Sequence, residues 1–261
     1  MKNDRLKSIL GIPYFLFLVI FVVCPVLILL YYAFTNGAGE FSLANFTLFF
    51  TDSKAIGTLI YSVMVAVVTT IVCLLIAYPV AYLLAKGEFR RGNVLLMLFV
   101  MPMWINFTLR ITALKEILTL IEGNLAFHPF LNTVIGMTYD FLPFMILPIY
   151  NTIAKIDHSY IEAAKDLGAK SHRVFLRVIL PLSIPGIISG ITMVFLPSMT
   201  NYVVLDMMYN STYIMGSLVG SYFSMYDWSN GSVISMILLI LILLLSTITG
   251  EFSDKEDNAY E

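Results

Sequence analysis

Residues 160–181, YIEAAKDLGAKSHRVFLRVILP, form a polar and basic segment that lies between two of the most apolar stretches of the chain. A few turn residues are enough to connect two membrane helices. This segment is much longer than that, and most of its residues favour helices over loops. It therefore predicts ordered helical structure between two membrane-embedded segments.

The first half of the segment predicts a short helix. Ser159 and Glu162 have the spacing of a capping box, in which the hydroxyl accepts from a first-turn amide and the carboxylate reaches back. The small residue Ala163 allows close approach, and Gly168 follows where a helix end favours a left-handed residue. The predicted apolar face consists of Ile161, Ala164 and Leu167.

The second half predicts another helix, which Ser171 caps and after which Pro181 marks the entry to the next membrane helix. Its apolar stripe consists of Val174, Phe175, Val178 and Ile179. Two interpretations of this helix–turn–helix are open. It is an amphipathic hairpin whose Lys170, Arg173 and Arg177 lie among anionic headgroups, or it is a docking element for a soluble partner.

The composition places the chain in a membrane. Of its 261 residues 59% are hydrophobic and only 12% are charged, about half the charged share of a soluble domain. The net charge of −2 argues against a nucleic-acid partner. Cys24 and Cys73 each stand alone in an apolar run, which predicts neither a disulfide framework nor a metal site.

Six apolar runs are long enough to cross the hydrocarbon core, which takes about 20 residues each. They are residues 12–34, a stretch within 55–85, 93–113, 132–154, 182–205 and 232–249. We expect an N-terminal end with the first membrane helix and an outer loop in residues 1–54. A core follows in 55–250, and residues 251–261 form an acidic, disordered tail.

The basic residues orient these spans. With the N-terminus inside, twelve of the fifteen Lys and Arg residues fall on the inner side, which the positive-inside rule favours. Only Lys54, Lys115 and Arg110 fall outside or near the outer boundary. The sequence therefore predicts a multi-pass protein of the cell membrane with both termini in the cytoplasm, and segment 155–181 on the cytoplasmic face.

This segment resembles the EAA loop of ABC-type importer permeases, whose pattern reads Glu-Ala-Ala, three residues, Gly, nine residues, Ile-x-Leu-Pro. The matching residues are Glu162, Ala163, Ala164, Gly168, Leu180 and Pro181, with Val178 in place of the usual Ile. The resemblance implies an all-α integral membrane fold with six transmembrane helices and a cytoplasmic coupling helix between helices 4 and 5.

The resemblance also implies partners. In that family the loop docks on a separate dimer of ABC ATPase subunits, with Glu162 capping and contacting, the alanines allowing close approach and Gly168 making the turn. A second permease subunit, different but related, pairs in the membrane, and an extracytoplasmic binding protein delivers the substrate. The chain contains no G-x-x-x-x-G-K-[ST] phosphate loop, so we expect no ATPase site, no enzyme activity and no cofactor in it.

Candidate substrate-pathway residues are polar or aromatic groups at membrane depth. Asp140 lies about 13 Å below the outer surface, at 1.5 Å per residue. Tyr139 and Phe144 flank it, which suits a mobile organic cation through Coulomb attraction and cation–π contacts. Alternatively, Asp140 neutralises Arg110.

Trp104 and Asp206 are two further pathway candidates, although each also suits an interfacial or solvated position. Residues 101–118, 139–157 and 160–169 together resemble the membrane subunits of spermidine/putrescine importers. This resemblance implies a polyamine cargo; permeases for thiamine, iron or oxyanions are the alternative. Two other classes are less favoured. An ion-coupled secondary transporter usually has an internal repeat, and this sequence shows none. An intramembrane enzyme needs a second catalytic group at the depth of Asp140, and this sequence offers none.

Overall fold

The computed structural model describes residues 12–36, 39–87 and 92–257. These residues form twelve helices joined by short loops, with one isolated antiparallel bridge between Thr35 and Phe41. The helices are α1 Ile12–Ala33, α2 Ala44–Thr51, α3 Ser53–Lys86, α4 Gly92–Val100 with the 3-10 turn Met101–Trp104, α5 Phe107–Glu122, α6 Pro129–Lys155, α7 His158–Asp166, α8 Ser171–Leu182, α9 Ile184–Thr200, α10 Tyr202–Met207, α11 Met215–Ser224 and α12 Trp228–Asp257.

The helices group into two compact units. One comprises the described residues up to Thr58 together with Ser217–Leu241. The other comprises Leu59–Gly216 together with the described residues from Ile242 onward. The segment 155–181 and the Asp140 region both belong to the second unit.

Three helices, α1, α3 and α6, are long and apolar enough to cross a membrane, at the places where the sequence predicts the first, second and fourth spans. Counting each of two bent helix pairs as one span raises the number to five. The apolar part of α12, Trp228–Leu244, is shorter, at the place of the sixth prediction. The helical class is therefore confirmed.

The third predicted span, residues 93–113, is not continuous. The chain turns by 99° between the 3-10 turn that ends at Trp104 and helix α5. Pro102 stands in that turn, and the Asn106 side chain accepts hydrogen bonds from the amides of Thr108 and Leu109, so it caps a new helix. The predicted run is therefore divided between two helices, and apolarity alone does not report the cap that begins the second one.

The fifth predicted span, 182–205, is also broken, with a 60° bend between α8 and α9 at Ser183. Pro185 lies in the first turn of α9 and has no amide hydrogen to donate to the turn before it. The span ends at Thr200, and Tyr202–Met207 forms a separate short helix.

Helix α9 packs closely on α6. Gly186 and Gly190 are four residues apart on one face, and both are buried. A Cβ atom at Gly186 would lie 2.8 Å from the carbonyl oxygen of Pro148, and one at Gly190 would lie 2.6 Å from the sulfur of Met145. A side chain at either position would force atoms of α6 to shift, so the two glycines allow the close contact of the two helices.

The predicted disorder after residue 250 was wrong for residues 251–257, which continue helix α12 to Asp257. No glycine or proline follows Gly250 to end the helix. Residues 258–261 lie outside the described residues.

Candidate functional site

Helix α7 begins with a different cap from the one predicted. The N-cap is Asp157, whose Oδ1 accepts from the amide of Ser159 at 2.9 Å. This hydrogen bond holds the pKa of the Asp157 carboxyl below its ordinary value. A charged acceptor competes well against a hydroxyl, so the helix begins at His158 and the predicted Ser159 capping box was wrong. Glu162 instead contacts the ring of His158, with Oε1 3.2 Å from Nδ1 and both side chains exposed.

The end of α7 has the geometry expected for Gly168. This residue has φ +81°, which is left-handed backbone. Its amide donates to the carbonyl of Lys165 at 2.8 Å, and the amide of Ala169 donates to that of Ala164 at 3.0 Å. These two bonds make a Schellman motif, which satisfies carbonyls that the helix end leaves unpaired.

Helix α7 presents an exposed apolar stripe, which we call the docking stripe: Tyr160, Ala163 and Leu167. Leu167 is 89% exposed, although the sequence predicted it on one face with Ile161 and Ala164. Six residues separate Leu167 from Ile161, which places them about 120° apart at 100° per residue. Leu167 follows Tyr160 by seven positions, so the two residues have nearly the same angular position around the helix axis. Ile161 is buried and Ala164 half-buried on the inner side.

Helix α8 begins at Ser171, and Lys170 is its N-cap, so the predicted Ser171 cap was wrong. The carbonyl of Lys170 accepts from the amides of Arg173 and Val174, and no side chain caps the helix. Val174 and Ile179 are buried, as the predicted stripe requires. Leu180 and Pro181 are half-buried at the end of α8.

Several contacts tie the α7–α8 hairpin to the end of α3. The Tyr78 hydroxyl lies 3.0 Å from Ser183 Oγ at the bend between α8 and α9. The rings of Tyr78 and Tyr82 each lie nearly perpendicular to that of Phe175, at centroid distances of 5.8 and 5.5 Å. Lys86 Nζ donates to the carbonyl of Ile156 at 2.6 Å. The hairpin is therefore fixed to a membrane helix at both of its ends.

A buried ion pair joins α5 and α6. Arg110 Nη2 lies 2.7 Å from Asp140 Oδ1, and both side chains are more than nine-tenths buried. The contact is single, because Nε and Nη1 of Arg110 are buried without a hydrogen-bond partner. The structure thus contains the Arg110–Asp140 contact that the alternative interpretation requires.

The other pathway candidates are not gathered around this pair. Trp104 is 83% exposed, and Tyr139 and Asp206 are exposed as well. Phe144 is half-buried, with its ring 6.2 Å from that of Phe141. Among the described residues, no hydrogen bond, ion pair or ring contact connects Trp104, Tyr139 or Asp206 with Asp140.

A polar hub in the loop after α10 was not predicted. Asn210 is buried, and its Nδ2 donates to Tyr61 Oη and Thr133 Oγ1, both at 2.9 Å. Next to it Tyr209 has φ +54°, and Lys115 Nζ lies 4.1 Å from the centroid of its ring. The sequence YNSTY reads as an ordinary loop and gives no signal of these distant partners.

Metal ligands do not cluster in the described portion of the chain, where no three His, Cys, Asp or Glu residues are placed to hold an ion.

Comparison with known proteins bears on the whole chain. Two curated relatives are called spermidine/putrescine transport system permease protein PotB. The one from Haemophilus influenzae is 35% identical, covering 93% of this chain and 92% of the relative. The one from Escherichia coli K12 is 34% identical, covering 78% of this chain and 80% of the relative.

A solved structure shares the fold. It is a chain of the bacterial alginate ABC transporter in complex with an alginate pentasaccharide-bound periplasmic protein. The TM-score is 0.77 at 12% identity, with 97% of this chain and 96% of that chain covered. The model of the family described as binding-protein-dependent transport system inner membrane component matches residues 77–253. Since that match spans well over half of the sequence and the PotB relatives extend it over nearly the whole length, this chain belongs to the family of binding-protein-dependent transport system inner membrane components.

Proposed function

We propose that this chain is a membrane-spanning subunit of an ATP-driven importer that passes a polyamine, such as spermidine or putrescine, from an external binding protein into the cytoplasm. The observation that carries the coupling role is the exposed docking stripe on α7, which the Schellman turn at Gly168 fixes in place. Leu167 is among the most exposed apolar side chains of the described residues, and such side chains mark interaction sites when they form a patch.

The docking stripe is proposed to fit a cleft on a cytoplasmic ABC ATPase dimer. Ala163 keeps the surface low so that the helix approaches closely, and the exposed carboxylate of Glu162 is available to the partner. Gly168 sets the turn into α8, and Leu180 with Pro181 connects α8 to the bend at Ser183. Closure of the ATPase dimer then moves α8 and α9 as rigid bodies.

The proposed topology has six spans and both termini in the cytoplasm. Each bent pair counts as one span, and α12 is the sixth. The functional division is an N-terminal region of residues 1–54, the core 55–250 with the coupling loop 155–181, and the acidic tail 251–261. A second, related permease chain is proposed to pair with this one in the membrane of the cell.

The cargo is proposed from the two PotB relatives and from the charge of the candidate pathway. Exposed Asp206 with exposed Tyr139 and Trp104 offers a carboxylate and aromatic faces, which suit an ammonium group. Asp140 and half-buried Phe144 are proposed as further pathway residues, with Asp140 holding Arg110 in place. Thiamine, iron or an oxyanion is the alternative cargo.

The test is uptake by the full complex. This chain, its partner permease and the ATPase are reconstituted together in proteoliposomes with ATP inside, the binding protein outside and ion gradients collapsed by ionophores. We expect saturable uptake of labelled spermidine or putrescine that stops without ATP and delivers the amine chemically unchanged. Purified alone, the chain should hydrolyse no ATP.

Each other outcome has a distinct meaning. Uptake that needs an ion gradient and no ATP contradicts the ATP-driven class and supports a secondary transporter. ATP-driven uptake of thiamine with no uptake of amines contradicts the cargo and leaves the importer class standing.

A further inference from the structure

A small cleft lies between the end of α3 and the inner side of the α7–α8 hairpin, with a volume of about 160 Å³. The polar or charged lining residues are Tyr82, Lys86, His158, Lys165 and Ser171. Ile161, Val174 and Ile179 form its apolar floor. We call this the hairpin cleft; it is separate from the docking stripe and from the ion pair of Arg110.

The polar lining of the hairpin cleft is rich in hydrogen-bond donors. Lys86 uses one of its three N–H groups for the Ile156 carbonyl. Neither Lys165 Nζ nor Ser171 Oγ has a hydrogen-bond partner among the described residues. No carboxylate lines the cleft. Two acids lie beside the lining: Asp157 accepts from the Ser159 amide, and Glu162 contacts the ring of His158, itself a lining residue.

The charge of the lining therefore favours an anion. Lys86 and Lys165 each contribute one positive charge to the lining. A tetrahedral phosphate, which accepts several hydrogen bonds at once, matches the two ammonium groups and the hydroxyl that α3 and the hairpin contribute to the lining.

The position of the cleft at the end of α3 bears on the source of that phosphate. Lys86 is the last residue of α3, a 34-residue helix whose composition suits a membrane span. Tyr82 lies one turn earlier, and tyrosine followed by lysine at a helix end is typical of the headgroup level. This pattern at the end of a helix that suits a membrane span favours a lipid headgroup as the source of the phosphate.

The cleft and the docking stripe use opposite faces of α7. His158, Ile161 and Lys165 follow one another at helical spacing and face the cleft. The stripe residue Tyr160 is two positions from His158, which at 100° per residue places it about 200° around the helix. A ligand in the cleft can therefore contact α7 without competing with a partner on the stripe.

We infer that the hairpin cleft binds the phosphate of an anionic phospholipid headgroup, such as phosphatidylglycerol. The headgroup bridges Lys86 on the membrane helix and Lys165 on α7, so it clamps the hairpin to α3. Zwitterionic lipids bind less well, because their own cationic group meets the positive lining.

The test uses the full chain in nanodiscs of phosphatidylcholine doped with phosphatidylglycerol, extracted gently and read by native mass spectrometry for retained lipid. We expect the chain to retain phosphatidylglycerol in preference to phosphatidylcholine. Lys86→Gln and Lys165→Gln should each weaken that preference on the order of fivefold, the effect of one lysine at a membrane surface. Lys155→Gln is the matched control, because Lys155 is exposed near the hairpin and does not line the cleft. Lys86→Arg keeps the charge and should keep the preference.

Three results overturn the inference. If Lys155→Gln loses as much preference as Lys86→Gln, the attraction is diffuse and belongs to no cleft. If neither cleft variant changes the preference, the cleft holds no headgroup. The third result uses millimolar inorganic phosphate added to the detergent-solubilised chain. If this phosphate displaces the lipid, and if it raises the melting temperature of the chain without any lipid, the ligand is a soluble phosphate. None of these readouts depends on transport, so they stand or fall separately from the proposed function.

Discussion

Replacing Asp140 by Asn removes one charge of the buried ion pair and keeps the volume of the side chain. Removing one partner of such a pair costs about 3–5 kcal/mol, because the other charge stays buried and uncompensated. We expect the lower end, about 3 kcal/mol, because the pair has a single hydrogen bond at 2.7 Å and the amide oxygen of Asn still accepts from Arg110. Arg110 also lies in the first turns of α5, where the helix dipole disfavours a cation and makes the carboxylate more necessary.

The assay is a double-mutant cycle on the assembled complex, with melting temperature and amine uptake measured for Asp140→Asn, Arg110→Gln and the double variant. Each single variant should melt several degrees lower, and the double variant should recover most of the stability and the uptake. Lys115→Gln on the same helix is the control, because its cation–π contact with Tyr209 is worth only about 0.5–1 kcal/mol.

Two outcomes refute the reasoning. A double variant that is no more stable than the worse single variant means that the two residues do not compensate each other. A double variant that is stable while amine uptake stays lost means that Asp140 acts on the pathway rather than through Arg110.

Three further predictions concern the hairpin. Gly168→Val should weaken co-purification of the ATPase, since a Cβ there meets no atom within 4 Å and the cost of about 1–2 kcal/mol comes from the left-handed φ alone; Gly168→Asn, which tolerates that φ, should be milder, and equal retention of ATPase by all three proteins would contradict the turn's role. Leu167→Asp should abolish ATPase-dependent uptake while the melting temperature of the chain is unchanged, because the side chain is 89% exposed; normal uptake would remove the docking stripe from the coupling surface. The pKa of Asp157 is lowered in the folded chain, so its cap stabilises α7 above the unfolded pKa of about 3.9, and this stabilisation is lost as the pH falls through the folded pKa. Asp157→Asn should remove this acid-sensitive contribution from melting temperatures measured between neutral and strongly acidic pH. An unchanged dependence of the melting temperature on pH would show that the cap has no such role.

Much of the architecture follows from local sequence. Apolar run length placed α1, α3 and α6, because a membrane leaves few other ways to satisfy twenty apolar residues. Gly168 was predictable as a left-handed helix end, because few other residues take that conformation at low cost.

The failures have equally local causes. The 99° turn before α5 depends on the cap at Asn106 competing with continuation of the helix, and an apolar window does not register one amide side chain. The start of α7 depends on whether the side chain of Asp157 or that of Ser159 caps the first turn, and both residues are suitable caps. The partners of Asn210 are distant in sequence, so no local pattern carries them.

The bend at Ser183 changes the direction in which a displacement of α8 acts on α9. With 60° between the two axes, a displacement along α8 has about half its length along α9 and the larger remainder across it. Gly186 and Gly190 bring α9 into close contact with α6. The sideways component of such a displacement therefore acts on both helices together. If the hairpin is displaced along the axis of α8, we therefore expect α9 and α6 to shift sideways together rather than α9 to slide along its own axis.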